Sequence, residues 1–197
     1  MSRCRGAGAG QGRRGLAGIL LLALPWTPAL SAGAPEAYLR PQAFEEYETR
    51  AALLLSVAKF TEWPGEAFRE GDAFVIGVLG ESPIAAALEQ MSGLTLQGRK
   101  VVVRRFRSSS ELQACHVLYF ARAEERSMAQ LKDRLASRYV LTIGETSFFL
   151  GFGGAIQLFR EEGGRLRFVL NRSALDQSRL RVAPQVQKFA KQIYIQP

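Results

Sequence analysis

The chain holds one histidine, His116, and it stands directly after Cys115. A histidine beside a thiol suggests nucleophilic catalysis, in which an imidazole takes the proton of a neighbouring group. The setting argues against that chemistry. Ala-Cys-His-Val-Leu-Tyr-Phe reads as the mouth of an apolar strand, where a histidine is satisfied by backbone or water and a cysteine is buried and inert. One histidine and one adjacent cysteine also fall short of the three or four ligands that zinc takes. Carboxylates are plentiful, yet no two stand at a spacing that marks a general acid and base. No catalytic residue, metal ligand or cofactor is expected.

A second constellation is Gly77-Val78-Leu79-Gly80 followed by Glu81-Ser82-Pro83. It falls at the end of a strand and the start of a helix, where a parallel sheet places its ligands. Gly80, Glu81 and Ser82, with Glu145 from the loop after Gly144, are therefore candidate ligand-binding residues. A phosphate fits poorly, because the turn lacks a lysine and Glu81 would repel an anion at the helix start. A tight strand-to-helix turn explains the same residues without a ligand. Gly151-Phe152-Gly153-Gly154 lies between a short segment and a strand, fails the context of a dinucleotide fingerprint and reads as a flexible loop.

Arg99, Lys100, Arg104, Arg105 and Arg107 look like a nucleic-acid stripe, but charge along a sheet edge also resists unwanted pairing. The latter reading fits the rest of the chain, and no nucleic acid is expected as a partner. Much of the net charge of +8 comes from Arg3, Arg5, Arg13 and Arg14, which precede the apolar run Leu16 to Leu24 and then small residues. That order is a secretory leader. Nine apolar residues before Pro25 are too few for a span, which takes about twenty. Cleavage is expected after Ala34, with Ala29-Leu30-Ser31 the other site available. Losing residues 1–34 leaves 22 basic against 18 acidic residues, a net +4, on a single domain at 35–197. With Cys4 gone, Cys115 has no intramolecular partner.

These residues must be positioned by elements readable from periodicity. A polar lead-in over 35–43 precedes Phe44, Tyr47, Ala51, Leu54 and Ala58, whose spacing predicts a helix with one buried face, ending at Trp63-Pro64-Gly65. Strands are predicted over 74–79, 101–106, 117–121 and 139–143, with helices over 84–91 and 124–137 between them. This alternation predicts a mainly parallel sheet flanked by helices, a Rossmann-like α/β domain. Segments 155–160 and 166–170 flank a turn and predict an antiparallel C-terminal hairpin. An extended stretch over 180–183 and a final helix over 184–193 complete the domain.

Taken as a set, several segments resemble the YfiR family of exported bacterial proteins. They are Lys59-Phe60-Thr61-Glu62-Trp63-Pro64, Phe74-Val75-Ile76-Gly77-Val78-Leu79-Gly80, Cys115-His116-Val117-Leu118-Tyr119-Phe120, Leu141-Thr142-Ile143-Gly144-Glu145, Gly153-Gly154-Ala155-Ile156 and Arg167-Phe168-Val169-Leu170-Asn171. The resemblance spans residues 47–193. It implies a periplasmic regulator, not an enzyme, that holds down a membrane-bound diguanylate cyclase by binding its periplasmic sensor region. Better-known members carry paired cysteines, whereas only Cys115 stands at a family cysteine position, so an intramolecular disulfide switch is not expected. The final helix also carries Gln187 and Lys191 where the family face would be apolar.

A binding role needs a contact surface. Lys59 and Trp63, at the end of the first helix, are the candidate partner-binding residues, because tryptophan joins a large apolar area to a polar edge. A tryptophan that closes a helix also serves as core. The alternative function is a small-ligand binding or sensing domain that uses Gly80, Glu81, Ser82 and Glu145. No membrane span is expected after leader removal, and the protein is expected as a monomer or homodimer.

Overall fold

The computed structural model describes residues 35–68 and 72–195, with side chains from residue 44 onward, and the expected leader lies outside the described residues. Helix α1 (Pro35–Lys59) starts earlier than the apolar stripe, so the predicted lead-in is helical. Its Glu, Ala, Leu, Arg and Gln residues are strong helix formers, although Pro41 cannot donate to the helix ladder. Strand β1 (Thr61–Glu62) follows α1.

The next elements alternate as expected: β2 (Phe74–Leu79), α2 (Ile84–Gln90), β3 (Thr95–Leu96), β4 (Arg99–Phe106), β5 (Val117–Phe120), α3 (Met128–Ala136) and β6 (Leu141–Gly144). Strand β6 begins two residues later than predicted. Tyr139 holds a left-handed φ of 56° and donates its N–H to the Ala136 carbonyl at 3.0 Å, which closes α3 before extension can begin. The C-terminal part contains β7 (Ile156–Arg160), β8 (Leu166–Asn171), α4 (Arg172–Gln177), β9 (Arg181–Val182), α5 (Pro184–Gln187) and β10 (Gln192–Tyr194).

The eight-stranded sheet has the order β10-β8-β7-β6-β5-β2-β4-β3, while β1 and β9 form a separate antiparallel pair. The pairs β2 with β4, β2 with β5, β5 with β6, β6 with β7 and β8 with β10 are parallel. The hairpin β7–β8 is antiparallel, as is the short β3–β4 pair. The α/β class and the antiparallel hairpin are as predicted.

The final helix is not. It stops at Gln187, and the chain then extends as β10 along β8. Ile193, Tyr194 and Ile195 favour an extended backbone. Gln187 and Lys191 consequently lie on no common helical face: Gln187 donates to the Val182 carbonyl at 2.6 Å, and Lys191 pairs with Glu161. Helix α4 was not predicted; its cap is Asn171, whose side chain accepts from the Ala174 N–H at 3.2 Å.

Alternation along the strands divides the core into two layers. Phe74, Ile76 and Val78 of β2, with Val117 and Tyr119 of β5, pack under α1 and α2. Val75 and Leu79, with Leu118 and Phe120, pack against Met128, Leu131 and Leu135 of α3. Both faces are therefore covered, which is why these strands read as unbroken apolar runs.

The loop between β6 and β7 is fastened by Phe149, which is fully buried. Its ring fits only because residues 144 and 154 lack side chains: a Cβ on Gly144 would lie 2.5 Å from the ring, and one on Gly154 2.2 Å. Gly154→Ala should therefore cost about 1–3 kcal/mol through overpacking. A urea denaturation midpoint lowered accordingly is the expected result, and an unchanged midpoint would contradict the clamp.

Candidate functional site

The path from β2 to β4 runs to one side of β2, whereas β5 lies on the other, so the carboxyl ends of β2 and β5 flank the switch point of the parallel region. Gly80 to Ser82 follow β2 directly, and Glu145 follows β6. Gly80 has φ 82°, and a Cβ there would meet the Glu124 side chain at 2.6 Å, so glycine is required on both counts. Glu81 is exposed, while Ser82 hydrogen-bonds the Tyr119 phenol and its Oγ also accepts weakly from the Ile84 N–H at 3.4 Å.

Glu145 is buried, with 8% of its surface exposed, and its carboxylate is the centre of the site. Tyr119 donates its hydroxyl to one oxygen. Arg50 of α1 approaches the other at 2.5 Å, and Arg122 joins it at 3.2 Å. Arg50 also pairs with Glu46 one turn earlier. Burial alone would raise the Glu145 pKa, but the bonds from Tyr119, Arg50 and Arg122 outweigh it and hold the carboxyl below its ordinary range. Burial, with the Glu145 charge beside it, pushes the Tyr119 phenol far up, so Tyr119 serves as a donor and not as a base.

A second buried carboxylate, Glu125, secures the same loop. It accepts the Glu145 N–H at 2.6 Å and the Thr146 N–H at 3.0 Å, and Thr146 adds its hydroxyl. The structure thus brings Gly80, Ser82 and Glu145 together and leaves Glu81 facing solvent. In this arrangement the Glu145 oxygens are engaged by the chain's own donors.

Lys59 and Trp63 lie at the other end of the parallel strands. The Trp63 indole packs edge-on against Phe74 at 5.3 Å and Phe68 at 6.2 Å, and its Nε1 donates to the Tyr139 carbonyl at 3.0 Å. Its remaining exposed edge borders a cavity shared with Glu62, Pro64, Arg179, Leu180 and Arg181. Lys59 is exposed, with its ammonium over the Phe60 ring.

His116 lies near this end too. Its ring stacks on Phe68 at 4.6 Å and Phe74 at 5.0 Å, and Nδ1 accepts the Val75 N–H at 3.0 Å, a contact only the neutral ring can make. Burial lowers its pKa accordingly. Cys115 is buried as a free thiol, and burial pushes its pKa up to about 12. Such a thiol is a poor nucleophile at neutral pH. Among the described residues no group of three or more His, Cys, Asp and Glu is placed to hold a metal.

Sequence reasoning missed Arg50 and Tyr119. The signal was present: Arg50 falls on the stripe of Tyr47, Ala51, Leu54 and Ala58, and a charge on a buried stripe requires a partner. Glu125 and Phe149 carried no comparable signal, because their partners are backbone amides and glycines distant in sequence.

A family model described as DUF4154, YfiR/HmsC-like, matches residues 47–191. No curated protein matches the sequence. Among solved structures, one described as the ABC domain in complex with L-Trp from Streptococcus pneumonia aligns with a TM-score of 0.50 at 10% identity, over 75% of this chain and 60% of that one. A conserved domain protein from Vibrio cholerae aligns with a TM-score of 0.47 at 14% identity, again over 75% and 60%. This chain spans about 60% of the length of these structures, and the first likeness concerns the fold alone.

The buried pair makes a testable demand. Glu145→Gln would leave the Arg50 charge without its main interior partner, at a cost of about 3–5 kcal/mol at neutral pH. Because the folded pKa of Glu145 is depressed, its contribution is complete above the unfolded carboxyl pKa and is lost as pH falls through the folded value. The stability gap between wild type and variant should therefore be widest near pH 7 and shrink below about pH 4.5. Urea melts across that range check it, and a gap that does not change with pH would contradict the assignment.

Proposed function

We propose, from the premise that this chain belongs to the YfiR/HmsC-like family, that it represses a membrane-bound diguanylate cyclase by binding that enzyme's periplasmic sensor region. Family membership makes the protein, in general terms, a periplasmic regulator in cyclic-di-GMP signalling. Repression of a cyclase is the finer reading. The observation that supports binding over catalysis is the engagement of the titratable groups: Glu145 is saturated by Tyr119, Arg50 and Arg122, and His116 accepts a backbone N–H while its ring packs against two phenylalanines.

Export follows from the leader at residues 1–34, with Pro35 as the first residue of the mature protein. Among the described residues no helix is long and apolar enough to cross a membrane. Lys59 and the exposed edge of Trp63 form the contact with the sensor region. A second reading, a small-ligand or sensing domain, is favoured by one feature, the gathering of Gly80, Ser82 and Glu145 at the switch point.

Deleting the gene should raise intracellular cyclic-di-GMP and surface attachment, and the wild-type chain should restore both. Trp63→Ala removes a ring packed on Phe68 and Phe74 and should cost up to about 3 kcal/mol, so its melting temperature must be read beside its activity. A folded Trp63→Ala protein that fails to repress supports the contact. Unchanged cyclic-di-GMP in the deletion strain would overturn the regulator reading.

A further inference from the structure

Alternate side chains of β4 take opposite faces of the sheet, and Phe106 marks the face that packs with Cys115 and α3. Lys100, Val102 and Arg104 share that face, and all three are exposed. Protection of a sheet edge accounts for charge on β4, but α3 brings two more cations to the same place. Arg134 donates to the Ser109 carbonyl at 3.3 Å, in the loop after β4, and Arg138 acts through its charge, together with Arg104, on the Cys115 thiol. Arg105, by contrast, is on the other face, where Glu89 of α2 holds it by two bonds of 2.7 Å.

The balance of charge here is one-sided. Counting Arg99 and Arg107 at its margins, the face carries six cations, and the acids beside it are Asp72, which shares a hollow with Lys100, Glu111, which accepts the Arg107 N–H at 3.0 Å, and Asp133 next to Arg134. The difference is three of the four surplus positive charges that the mature chain holds. No single pocket gathers them. Hollows of about 590 Å³ and 490 Å³ lie at Lys100 and at Arg104, but each has a carboxylate on its rim, Asp72 in one and Glu111 in the other. The attraction therefore belongs to the face as a whole and suits a broad anionic surface better than one bound anion.

We propose that this face of β4 and α3 rests against an anionic phospholipid bilayer and holds the regulator beside the membrane in which its target is embedded. The inference deepens the regulatory role above and rests on it. An acidic protein segment is the weaker match, because protein contacts centre on aromatic anchors seated in pockets, and the apolar residue offered here between Lys100 and Arg104 is Val102, 38% exposed. A bilayer needs no such anchor: each basic side chain near an anionic leaflet raises partition roughly fivefold, so three net charges supply on the order of a hundredfold. A second copy of this chain would bring like charge. The placement also fits. Gln97, in the turn before β4, donates to the Lys59 and Thr61 carbonyls, each at 3.0 Å, so the face adjoins the end of α1 that carries the proposed sensor contact.

The test uses the mature chain and vesicles of phosphatidylcholine, alone or mixed with phosphatidylglycerol, read by co-sedimentation. Partition onto the mixed vesicles should exceed that onto phosphatidylcholine by about tenfold or more and should vanish as salt rises from about 0.1 M to about 1 M, which cuts the screening length from about 10 Å to about 3 Å. Arg104→Gln with Arg138→Gln should lower it about tenfold or more, whereas Arg165→Gln with Lys188→Gln, an equal loss of charge at the opposite end of the sheet, should leave it within about twofold. All four positions are exposed, and an unchanged melting temperature shows that each variant is folded. Equal partition onto the two kinds of vesicle, partition that survives high salt, or equal loss in the two double variants would each overturn the proposal. So would loss of repression by the Arg104→Gln, Arg138→Gln protein when the wild type binds neither vesicle, a result that assigns the face to an acidic protein partner. Cells separate this inference from the reading it rests on. If deletion raises cyclic-di-GMP while the chain ignores both vesicles, the membrane contact is wrong and the regulator stands. If the vesicles behave as expected and deletion changes nothing, the membrane contact stands and the regulator reading itself fails.

Discussion

One buried carboxylate organises this domain. Taking a glutamate out of water is costly unless its charge is matched and its lone pairs are filled. Glu145 meets that condition by drawing on Tyr119 in β5, Arg50 in α1 and Arg122 in the turn after β5, so satisfying one side chain fixes the helix and two strand ends relative to one another. Glu125 then holds the backbone of the same loop, and the glycines at 144 and 154 let Phe149 close beneath it. The loop between β6 and β7 is thereby set by charge, backbone and packing together.

That constraint bears on where the protein can act. In an open parallel sheet the crevice at the carboxyl ends is the customary ligand site. Here the chain's own ions lie within it, the thiol is buried, and the imidazole is packed against Phe68 and Phe74. The chemistry still facing outward is of another kind: the half-exposed indole of Trp63, the rings of Phe148 and Phe189, and the open edge of β10. These are features of recognition, consistent with a regulatory family.

Much of the sheet was legible in the sequence. The runs at 74–79 and 117–121 announced strands buried on both faces, and the stripe from Phe44 to Ala58 announced α1, because periodicity registers burial directly. The final helix was misread because Pro184 does start a helix, but it ends at Gln187, and beyond it the β-branched Ile193 and Ile195 and the pairing with Val169 to Asn171 prevail. Propensity is local, while the pairing that extends β10 is supplied by a strand more than twenty residues away. The site was legible only in part: Gly80, Ser82 and Glu145 could be named from turn chemistry, but the partner of Glu145 comes from a helix nearly a hundred residues earlier. An arginine on an apolar stripe says that a partner exists without saying which carboxylate it is.

The most direct measurement is a titration of the purified mature protein into a membrane diguanylate cyclase embedded in nanodiscs, following the conversion of GTP to cyclic-di-GMP. Saturable inhibition at one regulator per sensor region is expected, lost when the periplasmic region of the cyclase is deleted. A turnover rate that stays constant throughout the titration would contradict it.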